Sequence, residues 1–124
     1  MTVTRPAEMY PRFIEAFNAG DAEALLALFE PSATFAPQPG VTVSGIAAVG
    51  AALQQFLALK GTIRLDPVFI MESGDTALIR GKWQVNGTGA DGKPVELRGN
   101  SIEVIRRQSD GTWRFIIDNP FGAE

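Results

Sequence analysis

The last hairpin constrains the fold more than any other stretch. From Glu96 to Asn119 much of the chain is apolar on both of its alternating faces, with Ser109-Asp110-Gly111 as the break. Period-two alternation marks two strands, and Ser-Asp-Gly suits a three-residue loop ending on a left-handed glycine. Pairing Gln108 with Thr112 sets Ile105 opposite Phe115, Val104 opposite Ile116 and Ile102 opposite Asp118. One face then carries Ile102, Val104, Ile116 and Asp118, and the other Ile105, Trp113, Phe115 and Ile117. A sheet with one wet side alternates apolar with polar residues. This sheet is therefore expected to be covered twice, by the chain's own helices and by a second copy of the chain.

Upstream, Asp91-Gly92 reads as a two-residue turn. Pairing Ala90 with Lys93 puts Trp83 opposite Asn100, Gly81 opposite Ile102, Ile79 opposite Val104 and Val85 opposite Arg98. Trp83, Arg98, Asn100, Ile102, Ile116 and Asp118 then share one sheet face. A slip of one residue would move Asn100 and Arg98 to the other face.

Before these strands the pattern is helical. Met9, Tyr10, Phe13, Ile14 and Phe17 fall at helical spacing, with Asn18-Ala19-Gly20 as a stop. Pro11 sits in the first turn of a short helix or kinks a longer one. Asp21 caps a second helix, Ala22 to Phe29, ended by Pro31. Ala33 to Ala36 reads as a short strand and Pro-Gln-Pro-Gly as a loop. A third helix runs from Ile46 to Leu59. Strands follow at Thr62–Met71, Thr76–Asn86, Val95–Arg107 and Thr112–Asn119. Helices first and antiparallel strands after give an α+β fold, with the helices on one face of a curved sheet whose open end is a natural pocket.

The 124 residues fit one domain, 1–124, and 45% hydrophobic content supports a packed core. A net charge of −3 with scattered cations gives no basic stripe for nucleic acid. No run approaches the roughly 18 apolar residues of a membrane span. Without an h-region at the N-terminus, the expected location is cytoplasmic. Cysteine and histidine are both absent, which removes thiol chemistry, the commonest general base and the commonest zinc ligand. Neither a metal nor a cofactor is expected.

Phe13-Ile14-Glu15-Ala16-Phe17-Asn18-Ala19-Gly20-Asp21, then Leu28-Phe29-Glu30-Pro31-Ser32-Ala33-Thr34-Phe35, Ser44-Gly45-Ile46 and Asp110-Gly111-Thr112-Trp113-Arg114-Phe115 carry a resemblance. Together they resemble the SnoaL-like and ketosteroid-isomerase-like branch of the nuclear-transport-factor-like superfamily, over essentially the whole chain. The resemblance implies a cone-shaped α+β barrel with the N-terminal helices in the concave face of a mostly antiparallel sheet. It also implies an internal ligand pocket and a homodimer through the outer sheet face. The fold hosts isomerases, cyclases, dehydratases and non-catalytic binders alike. Ketosteroid isomerase machinery is mostly unmatched: its helix tyrosine falls at Phe13, its base at Pro37 or Gln38, and its second donor near Asn100 or Ile102.

The expectation is thus a small-molecule pocket protein for an apolar ligand. It is either an isomerase, cyclase or dehydratase with Asp118 as acid/base, or a non-catalytic binding or dimerisation module. Asp118 has a second reading as a strand-ending aspartate. Asn100, Trp83, Arg98, Phe13, Phe17, Phe35, Ile102 and Ile116 are the expected pocket residues, and Glu103 is assigned to the interface face. A carboxylate and a donor converging in an open cavity would support the enzyme; a cone plugged by phenylalanines would support the structural module.

Overall fold

The computed structural model describes residues 2–124. A 3-10 turn at Pro6–Glu8 leads into α1, Met9–Asn18, with Pro11 in its first turn, where a missing N–H costs no helical bond. Gly20 (φ 66°) breaks the chain away, and Asp21 caps α2, Ala22–Leu26, by accepting from the Ala24 N–H at 3.0 Å. Phe29 lies beyond this helix, because it opens β1, Phe29–Gln38, and Pro31 is part of that strand. Gly40 (φ 79°) turns the chain into β2, Val41–Ser44, a strand the sequence reading did not anticipate. Then come α3, Ile46–Leu57, and four long strands: β3, Thr62–Ser73; β4, Thr76–Thr88; β5, Pro94–Arg107; and β6, Trp113–Asn119.

These form one curved, unclosed sheet in the order β2-β1-β6-β5-β4-β3. Every pairing is antiparallel except β1 with β6, which is parallel. The α+β expectation holds, with α1 packed on β3 and α3 on β1. Phe29 and Phe115 meet at 4.8 Å between ring centroids, Phe13 sets its edge on Phe115 at 6.0 Å, and Phe56 meets Phe35 at 6.1 Å.

Two registers differ from expectation, and both decide the site. The Asp91-Gly92 turn is one residue longer than a tight hairpin. Gly89 N–H donates to the Lys93 carbonyl at 2.8 Å around Ala90-Asp91-Gly92, with Gly92 at φ 79°. Trp83 therefore faces Gly99, Gly81 faces Ser101 and Ile79 faces Glu103 across the ladder. In the last hairpin, Gln108 does pair with Thr112 and Ile105 with Phe115. A bulge then makes Ile116 the extra residue, so Val104 faces Ile117 and Glu103 faces Asp118. Side chains alternate along a strand, so the bulge reverses the facing of everything beyond it.

Trp113, Phe115 and Ile105 accordingly point into the core, each at most 5% exposed, and not onto an outer interface. The outer face instead carries Met71, Leu78, Val104 and Ile117 in one row across four strands. Met71 and Ile117 are 62% and 45% exposed.

Candidate functional site

Inside the curve lies a narrow cavity of about 50 Å³, walled by Phe13 and Phe17 from α1, Phe35 from β1, Phe56 and Leu53 from α3, and Trp83 and Phe115 from the sheet. A water needs roughly 10–15 Å³ of such space, so the cavity is small but open. Its polar lining residues are Ser101, Glu103 and Asp118; among the described residues, no lysine or arginine lines it.

Glu103 and Asp118 are direct cross-strand partners, both 4% exposed. Tyr10, on the inner face of α1, donates its hydroxyl to Glu103 Oε1 at 2.6 Å, with Ser101 Oγ 3.3 Å from the same hydroxyl. Gly81 makes this reach possible. A Cβ there would lie 2.4 Å from the Tyr10 hydroxyl oxygen, so any other residue would push the ring away. Trp83 is fixed by its indole N–H, which donates to the Pro120 carbonyl at 2.7 Å, and by the edge of Phe121.

Burial pushes the Glu103 carboxyl up to about 7, against the opposing hydrogen bonds from Tyr10 and Ser101. Asp118 is raised well above the aspartate range, first by burial and then by the neighbouring Glu103 charge. Burial, followed by the charge on Glu103, likewise raises Tyr10 far above its ordinary value, so it remains a donor. The two carboxyls belong to paired residues and influence each other's titration, and both bind a proton more tightly than a free carboxyl does. Glu103 has the hydrogen-bond donors that favour its ionised form. Among the described residues, no side-chain hydrogen bond ends on the Asp118 carboxyl, and burial with the Glu103 charge beside it favours its protonated form.

Of the residues singled out from the sequence, Asp118, Trp83, Phe13, Phe17 and Phe35 line the cavity. Asn100, Arg98, Ile102 and Ile116 do not. The one-residue longer turn places Asn100 opposite Lys82, Arg98 opposite Gln84 and Ile102 opposite Arg80, all out of phase with the inward Ser101 and Glu103. Ile116 is the bulge residue. Asn100 binds the Glu124 carboxylate instead, and Arg98 pairs with Glu96. Sequence reasoning missed Tyr10, Ser101 and Glu103. A glutamate flanked by Ile102, Val104 and Ile105 was the signal for Glu103, because a charge in an apolar strand needs a reason to be there. Tyr10 lies one helical turn before Phe13, and its hydroxyl is engaged with Glu103. Among the described residues, no group of acidic side chains has the geometry to hold a metal ion.

A family model described as a SnoaL-like domain matches residues 11–116. Solved structures share the fold at low identity. A ketosteroid isomerase-like protein from Erwinia carotovora atroseptica is 16% identical with a TM-score of 0.78, over 91% of this chain and 89% of that one. A nuclear transport factor 2 (NTF2-like) superfamily protein from Salmonella enterica serovar Typhimurium is 20% identical with a TM-score of 0.79, over 90% and 84%. An NTF2-like protein with a cystatin-like fold from Novosphingobium aromaticivorans is 23% identical with a TM-score of 0.72, over 94% and 80%. No curated protein matches the chain.

Proposed function

The chain belongs to the SnoaL-like domain family, and from that premise we propose that it is an acid/base enzyme moving a proton on a small, largely apolar substrate, as an isomerase, cyclase or dehydratase does. One observation carries the reading: a buried Asp118 carboxyl without a side-chain hydrogen bond, its proton affinity raised by burial, faces an apolar cavity beside Glu103, which accepts from Tyr10. A carboxylic acid kept neutral at pH 7 donates to a developing oxyanion, and its ionised neighbour accepts a proton. Tyr10 and Ser101 hold Glu103 in place. The aromatic walls exclude water, which strengthens both interactions. Ketosteroid isomerase uses the same physical device, a neutral carboxylic acid as donor, with a different constellation.

Proton exchange in D₂O tests this without knowing the natural substrate. A panel of small ketones is incubated with the protein, and loss of the proton α to the carbonyl is followed by NMR. Wild type is expected to accelerate exchange of at least one ketone, and Asp118→Asn to lose roughly a hundredfold or more of that rate. Equal rates in the two proteins, or no acceleration across the panel, overturn the reading.

A homodimer is also proposed, through the outer row of Met71, Leu78, Val104 and Ile117. A second copy presents an identical apolar row, so a two-fold contact is self-complementary in chemistry.

A further inference from the structure

We propose that the cavity selects a small organic monocation, a protonated alkylamine or iminium with a compact apolar body, seated between Glu103 and Asp118. This deepens the acid/base reading of the same site by naming the charge of its substrate.

Charge balance comes first. Two carboxyls open onto one cavity and, among the described residues, no cationic side chain lines it. The arginine and lysine nearest on β4, Arg80 and Lys82, are out of phase with the inward-facing Ile79, Gly81 and Trp83. From α1 the facing polar group is Tyr10, and from β5 it is Ser101; both are neutral. β1 and α3 present phenyl rings and aliphatic groups. With one of the two carboxyls ionised the site would carry a net charge of −1, and among the described residues no cationic side chain lines it to balance that charge. A neutral ligand that displaces the remaining water leaves this charge uncompensated in an apolar box, which is costly. An anion doubles the problem. A monocation neutralises it.

The donor inventory agrees. Glu103 has Tyr10 as a donor, whereas Asp118 has no side-chain partner among the described residues while being 4% exposed and directed into the cavity. An ammonium carries up to three N–H donors and can serve both carboxyls at once. The walls agree as well. Phe13, Phe17, Phe35, Phe56, Phe115 and Trp83 ring the space, and aromatic faces attract a cation. The narrowness favours a compact head such as a primary ammonium over a bulky one.

Isothermal titration calorimetry on matched probes provides the test: isobutylamine, isobutanol and isobutyrate, with benzylamine, benzyl alcohol and benzoate as the larger set. The amine of a set is expected to bind roughly tenfold or more tighter than its alcohol, with no binding of the carboxylate. Amine affinity should rise from pH 5 to pH 8 as the carboxyl pair ionises, with protons released on binding. The double variant Asp118→Asn with Glu103→Gln should erase the preference for amine over alcohol while retaining the melting transition. Alcohols binding as well as amines, or no amine binding in either set, overturn the proposal. Amine selectivity without ketone exchange would sink the acid/base reading and leave the cation site standing. Ketone exchange without amine selectivity would do the reverse.

Discussion

Among the described residues, acidic side chains leave bulk water in two places, and these behave oppositely. Glu30, on β1, is 7% exposed but lies outside the hydrophobic core. Arg106 grips it with two hydrogen bonds at 2.7 and 2.8 Å, and the Gln108 amide adds a third at 2.8 Å. Its carboxyl is held below the ordinary range, chiefly by Arg106. Glu103 and Asp118 are as little exposed, yet face a cavity that no cationic side chain among the described residues lines, and both are raised. Low exposure alone therefore does not set proton affinity; the partner does. A clamped carboxylate joins strands. A pair short of partners is left with a proton to give and a charge to satisfy.

The contrast breaks first at the cavity. Glu103 has a folded pKa raised to about 7, so its stabilising contribution is full below the unfolded value of 4.5 and disappears as pH rises through 7. Unfolding free energy should fall by roughly 3 kcal/mol between pH 4.5 and pH 8 from this group. Urea titrations of Glu103→Gln should show a much flatter profile across that window; an unchanged slope would place the titration elsewhere. Next in size is Tyr10→Phe, which removes a hydrogen bond to a charged group and should cost about 1.5–3 kcal/mol at pH 8. The cost should shrink at pH 5, where Glu103 is protonated. Gly81→Ala should imitate it by displacing the Tyr10 ring, and a loss independent of pH would separate mere crowding from the hydrogen bond.

At Glu30 the sign reverses. Its pKa is depressed, so its contribution is present above the unfolded value and lost as pH falls through the lower, folded one. Arg106→Gln should lower the melting temperature at pH 7 and converge on wild type in acid, as followed by circular dichroism. The smallest effect on folding belongs to the outer row. Met71→Lys should change stability by no more than about 0.5 kcal/mol while shifting wild type from dimer to monomer in sedimentation. A monomeric wild type would remove the dimer, and a dimeric Met71→Lys would remove this row from its interface.

Much of this was legible in the sequence. Helical spacing in Met9–Phe17, the Asp21 cap and the long alternating strands gave the α+β fold, because each signal is local. The site was only half legible. Asp118 stood out as a carboxylate in an apolar strand, but its neighbours depended on two single-residue events, the longer loop at Ala90-Asp91-Gly92 and the bulge at Ile116. Asp-Gly serves a two- or a three-residue loop equally well, and nothing in Phe115-Ile116-Ile117 announces which isoleucine is extra. Each event inverted a face. Glu103 thereby exchanged the outside for the inside, and Asn100 and Arg98 made the opposite move.

The parallel pairing of β1 with β6 also has a kinetic consequence. Hairpins β3–β4, β4–β5 and β5–β6 join near neighbours and can zip locally, whereas Phe29 and Phe35 wait for Phe115 and Asp118, more than 80 residues further along the chain. Non-local contacts repay their loop-closure entropy late. Docking of β1 beside β6 sets Phe35 next to Asp118, so the desolvation of Asp118 is expected to be completed at this step. A refolding rate that quickens as pH is lowered from 8 to 5 would be the signature of taking up a proton on the way to the native state.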